Sequence, residues 1–309
     1  MLQKQLFPAQ PGLRVVHDAE TVDALTLADH PGGEAGRRAV LETLADSIDD
    51  ATTPVVITCE HLCMPGCWIQ TDAGIGRRRL SRRDINALLQ GYLPPARILL
   101  IVREQRRWLP SWYQQRIKAY ETQTMSQLID SAMFRDEIVP ALCYADVAAE
   151  YEAAFGPGSV SVVPFELLAR RPQDFAARVL DVAGLPPELR TEPDVVQANV
   201  GMSQIGVSGR RQANRLIVAA NNSRILGRDV QPMLIKGSKR LFSLDWMAIR
   251  LLGKYAQQVS LPSEVRSALA TSNRDLDMRY GLDLEQYGYE MLSDTEEAGP
   301  ARQAVAVGR

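Results

Sequence analysis

Along the chain, apolar-rich runs of five to seven residues alternate with longer segments in which apolar residues recur every three or four positions. The runs are Val55 to Cys59 (VVITC), Ile98 to Val102 (ILLIV) and Ser159 to Phe165 (SVSVVPF). Each is too short for a helix core and rich in β-branched residues, which predicts strands buried on both faces. Arg14-Val15-Val16-His17 predicts a shorter strand. Helical spacing fills the intervals. Val40, Leu41, Leu44 and Ile48 predict a helix within 36–50, and Leu109, Trp112, Tyr113 and Ile117 another after the second run. A third lies over 81–93, where Ser81 as N-cap and Asp84 three residues later form a capping box. Residues 118–155 are mostly helical with a break near Pro140, and Phe175, Val179, Leu180 and Val182 mark a helix after the third run. The first twelve residues begin as if in mid-helix, with Leu2, Leu6 and Phe7 on one side and Pro8 and Pro11-Gly12 ending it. Strand and helix alternate, which predicts an α/β fold with a parallel sheet and crossover helices.

Composition narrows the class. A chain of 309 residues with 46% apolar residues can bury a real core, and 1–292 is expected to form a single domain. The remainder, SDTEEAGPARQAVAVGR from Ser293, has no core-forming pattern and is expected to be mobile. Thirty-five basic against thirty-seven acidic residues give a formal charge of −2, which argues against a nucleic-acid binder and makes any anion site local. No apolar run reaches the length of a membrane span, and the amino end lacks a secretory pattern, so no membrane span and a cytoplasmic location are expected. Four cysteines do not make a disulfide framework in a chain this long. Cys59, His61, Cys63 and Cys67 are soft ligands within nine residues, yet their spacing lacks the paired Cys-x-x-Cys of zinc sites, and no metal is expected.

The stretch ARILLIVREQRRWLPSWYQQRIK, 96–118, holds the most pointed candidate chemistry. Arg103 follows a buried strand, and Pro110 suits a first helical turn, which predicts a helix opening near Ser111. The carboxyl end of a buried strand is where an open α/β sheet holds its ligand. Arg103 would offer a fork of donors, and Ser111 a hydroxyl beside helix N-terminal amides, so phosphate is the natural guest. The plainer alternative is that Arg103 caps its strand or pairs with Glu104, and that Ser111 merely starts a helix. Asn199 to Asn214, with Arg210 and Arg211, predicts a flexible loop able to fold over an anion; a solvated loop and helix start is the alternative.

These residues resemble a known family. VREQ followed by Trp108, Ser111 and Tyr113 is similar to the 3′-phosphate-binding segment of sulfotransferases that use 3′-phosphoadenosine-5′-phosphosulfate, in which an arginine closes a strand and a serine eight residues later opens a helix. Pro164-Phe165-Glu166-Leu167-Leu168, Gly184-Leu185-Pro186 and SNRDLDMRYGLDLEQYGY at 272–289 resemble later parts of the same pattern. Leu2-Gln3 to Pro8 and Pro11-Gly12 look like the tail of the family's opening segment, without its strand and Lys-Thr-Gly-Thr-Thr type loop. The resemblance implies a P-loop-like three-layer sandwich with a central parallel sheet that lacks its first, central strand. It also leads to the expectation that in-frame codons upstream of Met1 encode that strand and turn. It implies transfer of a sulfuryl group from 3′-phosphoadenosine-5′-phosphosulfate to a hydroxyl or amine of a small molecule, glycan or lipid head group. Arg103 and Ser111 would hold the 3′-phosphate, with Arg210 and Arg211 over the nucleotide. Glu60, and after it His61, would serve as base because both follow a buried strand; a structural partnership of Glu60 with an arginine is the alternative. A catalytically impaired, nucleotide-binding descendant is the alternative for the whole chain, since the absent loop supplies donors to the leaving group.

Overall fold

The computed structural model describes residues 6–7, 9–58, 80–93, 96–191, 201–219 and 259–292, and the backbone alone of 69–70, 76–77 and 220–222. In chain order these form β1 (Arg14–Val16), α1 (Ala19–Thr26), α2 (Gly33–Asp49), β2 (Val55–Ile57), β3 (Ile69–Gln70), β4 (Gly76–Arg77), α3 (Arg82–Tyr92) and β5 (Ile98–Val102). There follow α4 (Gln105–Lys118), α5 (Met125–Ile129), a π-helical turn over Phe134–Ile138, α6 (Val139–Leu142), α7 (Tyr144–Phe155) and β6 (Val160–Pro164). The chain continues with α8 (Glu166–Arg170), α9 (Pro172–Val182), α10 (Gln204–Asn222), α11 (Ser263–Tyr280) and a 3-10 turn over Leu284–Tyr287.

This is a mixed α/β protein, mostly helical, with small parallel sheets. β1 pairs parallel with β2, from Arg14 opposite Val55 to Val16 opposite Ile57. β5 pairs parallel with β6 over five residues, from Ile98 opposite Val160 to Val102 opposite Pro164. Among the described residues no strand joins the two pairs. Their burial differs in a way that the pairing explains. β6 is buried at four of five positions, whereas β5, wholly apolar, keeps Ile98, Leu99 and Ile101 half-buried, and all three residues of β2 are half-buried. β1, by contrast, opens on the exposed Arg14, whose guanidinium donates to the Ser47 carbonyl at the end of α2. Among the described residues the half-buried apolar positions thus lie mainly along β2 and β5.

The expected helices form at α2, α3, α4 and α9. The Ser81 capping box at α3 is present in full: Ser81 accepts from the Asp84 N–H, and the Asp84 carboxylate accepts from the Ser81 N–H. Pro140 falls inside α6, directly after the π-helical turn. A proline there cannot donate to the carbonyl one turn back, which suits a local widening of the helix.

One large core holds both described ends of the chain. Leu6 and Phe7 pack in it, as do Leu276, Leu284, Tyr287 and Tyr289, around Leu109, Ile117, Phe134, Ile138 and Phe175. A smaller core, Ala24, Leu25, Leu41, Ile85 and Leu89, lies among α1, α2 and α3. β2 runs between them, with Val56 against the large core and Ile57 against the small one. Buried Arg37 of α2 closes the end of α1 by donating to the carbonyls of Ala24, Leu27 and Ala28, groups that have no partner within a helix.

Candidate functional site

Arg103 and Phe165 leave the sheet side by side, because each follows the last residue of its strand and those residues, Val102 and Pro164, are in register. The Arg103 guanidinium lies 5.4 Å from the Phe165 ring centroid, and that ring stands edge-on to buried Phe175. Phe165 is 37% exposed, unusual for a phenylalanine, so this corner of the sheet is open to solvent.

The helix after β5 begins earlier than its proline suggested. α4 starts at Gln105, which puts Pro110 and Ser111 in its second turn and not at its opening. The N-cap is Glu104, a residue outside the usual capping set, whose buried carboxylate accepts from the N–H groups of Arg106 and Arg107 at 2.9 Å each. The helix N-terminal amides expected to favour an anion are thus already taken by a carboxylate of the chain itself.

Arg103 and Ser111 nevertheless come together: Arg103 Nη1 donates to Ser111 Oγ at 3.3 Å, and both residues are half-buried. Arg103 does not pair with Glu104, whose carboxylate faces its own helix and the guanidiniums of Arg106 and Arg107 at 3.7 and 3.8 Å. Among the described residues no carboxylate lies within ion-pair distance of Arg103, so most of its donor fork is left for a ligand. A guanidinium beside a neutral hydroxyl, at the open carboxyl end of a parallel strand, can bind a tetrahedral oxyanion.

The main chain at this corner is held by two side chains from other elements. The Tyr144 hydroxyl, from the first residue of α7, donates to the Arg103 carbonyl at 2.8 Å. Glu166 Oε1, from the first residue of α8, accepts from the Glu104 N–H at 2.9 Å. The other oxygen of Glu166 accepts from the Tyr289 hydroxyl at 3.1 Å. Burial and the neighbouring Glu166 carboxylate push the Tyr289 hydroxyl far above its ordinary range, so it stays a donor. Neither Tyr144 nor Tyr289 carries a local sequence signal as a site residue, and Tyr289 is 123 residues from its partner.

Arg210 and Arg211 lie within helix α10, not on a loop. α10 packs on the far end of α4: Asn214 donates to the carbonyls of Ile117 and Glu121, and Arg210 Nη2 reaches the Lys118 carbonyl at 3.5 Å. Lys118 lies about 10 Å of helix beyond Ser111, and Arg211 stands beside the hydroxyl of Tyr113, itself on α4. Glu60 and His61 lie outside the described residues, as do Cys59, Cys63, Cys67 and the segment from Ser293 that was expected to be mobile. Among the described residues no three His, Cys, Asp or Glu side chains are placed to hold a metal. Cys143 is buried, and burial pushes its thiol up to about 11.

Comparisons with known proteins are sparse. No protein-family model matches the chain, and no curated protein matches it. A solved structure described as a sulfotransferase from Alicyclobacillus acidocaldarius is similar over 91% of each chain, with 12% identity and a TM-score of 0.44, a likeness too distant to bear on function. No described helix is long and apolar enough to cross a membrane.

Proposed function

We propose that this chain is a sulfotransferase-like protein that binds 3′-phosphoadenosine-5′-phosphosulfate, with Arg103 and Ser111 on the 3′-phosphate. One observation carries the reading: the Arg103 guanidinium meets the Ser111 hydroxyl at 3.3 Å and, among the described residues, meets no carboxylate. A half-buried guanidinium at the open carboxyl end of a parallel strand, with its fork free of carboxylates among the described residues, is suited to an anionic ligand. The sequence resemblance of VREQ, Trp108, Ser111 and Tyr113 supplies the nature of that anion.

In the reaction the S–O bond to the 5′-phosphate breaks, and a new bond forms from sulfur to the acceptor's hydroxyl oxygen or amine nitrogen. The acceptor's proton passes to a base, for which Glu60, with His61 second, remains the proposal. The 3′,5′-bisphosphate of adenosine leaves. The fold proposed with it is a P-loop-like three-layer sandwich whose central parallel sheet lacks its first, central strand. Support for it comes from the half-buried apolar residues along β2 and β5, each paired on one side only among the described residues.

Calorimetric titration with adenosine 3′,5′-bisphosphate and with adenosine 5′-monophosphate tests the site. The expected result is tighter binding of the bisphosphate, weakened at least about 100-fold by Arg103→Ala and about tenfold by Ser111→Ala. Equal affinity of wild type and Arg103→Ala for the bisphosphate would remove the assignment. Binding without sulfuryl transfer to any acceptor would instead favour the impaired, nucleotide-binding descendant.

A further inference from the structure

Arg103's carbonyl and Glu104's N–H belong to one peptide unit, the unit at which β5 ends and α4 begins. Both of its polar atoms are occupied by side chains from other elements. Tyr144 donates to the carbonyl at 2.8 Å, and Glu166 accepts from the N–H at 2.9 Å. The strand ladder fixes the residue just before it, since the Phe165 N–H donates to the Val102 carbonyl at 2.7 Å. The Glu104 side chain fixes the residues just after it through Arg106 and Arg107. A change of ψ at Arg103 would swing α4, and Ser111 with it, away from the guanidinium, and three of the residues that oppose it, Glu104, Tyr144 and Glu166, are buried.

Glu166 is the least expected member of this set. A carboxylate 8% exposed, at the first position of a five-residue helix, spends one oxygen on a backbone N–H and the other on a tyrosine hydroxyl that is itself 3% exposed. No arginine or lysine among the described residues forms an ion pair with it. A buried carboxylate kept on hydrogen bonds alone holds its acceptor geometry closely, because each of its oxygens is committed to one donor.

From this arrangement we infer that Glu166 is a positioning residue for the anion site: braced by Tyr289, it locks the Arg103–Glu104 peptide so that the Arg103 guanidinium stays aimed at Ser111. The inference rests on the reading of Arg103 and Ser111 as the phosphate site. Its mechanical part stands on geometry alone. An unlocked peptide would let Arg103 bind only in the fraction of molecules correctly folded back onto α4, which lowers apparent affinity by that fraction.

Two measurements on the full chain separate the two layers. Hydrogen exchange compares the Glu104 amide with the ladder amide of Val102, and titration gives affinity for adenosine 3′,5′-bisphosphate. Glu166→Ala is expected to speed exchange at Glu104 relative to Val102 by about tenfold or more and to weaken binding about tenfold. Glu166→Gln, which keeps the acceptor oxygen, should restore both to within about threefold of wild type. A role confined to stability would lower the melting temperature and leave both the exchange ratio and the affinity of the folded protein unmoved, and that result overturns the inference. So does a Glu166→Gln variant as impaired as Glu166→Ala. If wild type fails to bind the bisphosphate, the phosphate reading falls while the exchange ratio still decides the lock. If Glu166→Ala does not fold, Tyr289→Phe takes its place: faster exchange at Glu104 supports the lock, and an unchanged ratio overturns it.

Discussion

The two parallel strand pairs are built from the same kinds of residue and yet differ in what surrounds them. β5 and β6 form a five-residue ladder over the large core, and Leu100, Val102, Val160, Val162 and Val163 are all buried. β1 and β2 form a three-residue ladder in which only Val16 is buried. The candidate anion site stands at the carboxyl end of the first pair. A positioned guanidinium needs a rigid strand end, and rigidity follows from how many side chains close over the strand. Beyond Thr58, after the second pair, lie Glu60 and His61, outside the described residues.

The largest expected difference between the halves is in stability. Leu100, 2% exposed at the centre of β5, touches the large core, and Leu100→Ala should cost about 2–5 kcal/mol by urea denaturation. Val56, at the matching central position of β2, is half-buried, and Val56→Ala should cost only about 1 kcal/mol. Equal losses would mean that residues outside those described close over β2 as completely as the large core closes over β5, and the contrast drawn above would be broken.

The same contrast decides what could be read in advance. The runs at 98–102 and 160–164 were legible because a short, mostly apolar and β-branched run is too short for a helix core and reads as a strand. The Arg103 and Ser111 pairing was legible too, though for a partly mistaken reason. Pro110 was expected in a first turn, whereas it lies one turn in. Glu104 gave no signal of a helix start, since glutamate is not among the side chains that usually cap. The eight-residue α1 was missed: its cap, Asp18 accepting from the Thr21 N–H, stands before too few apolar positions to show a period. Gly206 and Gly209 made 199–214 look like a loop. The packing of α10 on α4 through Asn214 overrides their cost of about 1 kcal/mol each. Glu166 with Glu104, 62 residues apart, is a tertiary pairing that no local pattern announces.

A smaller effect sharpens the same comparison through pH. Cys143 packs in the large core beside Tyr144, and burial pushes its thiol from 9.0 to about 11. The unfolded thiol ionises first as pH rises, so the unfolded state loses its proton while the folded state keeps it. Stability should therefore be independent of this group below about pH 8 and fall as pH climbs from 9 towards 11. Cys143→Ala should flatten that fall in denaturation curves. A fall equally steep in the variant would assign it to other groups. A thiol reagent at pH 8 should react with folded protein at Cys143 only slowly.

The smallest effect compares one device used in both halves. Ser81 with Asp84 caps α3, which feeds Ile85 and Leu89 to the small core; Thr124 with Gln127 caps α5, which feeds Met125, Leu128 and Ile129 to the large one. Each box satisfies the same two orphan N–H groups, so each substitution, Ser81→Ala and Thr124→Ala, should cost about 1 kcal/mol. The helices differ in length, eleven residues against five. A five-residue helix has no stability of its own, so its persistence comes from the side chains it buries, and its cap contributes only the two hydrogen bonds. Matching losses would mean that the large core holds α5 whether or not its cap is present. A Thr124→Ala loss several times that of Ser81→Ala would mean that α5 unravels without its cap and takes Met125 and Leu128 out of the core, which would make the larger core more dependent on a surface hydrogen bond than its burial implies.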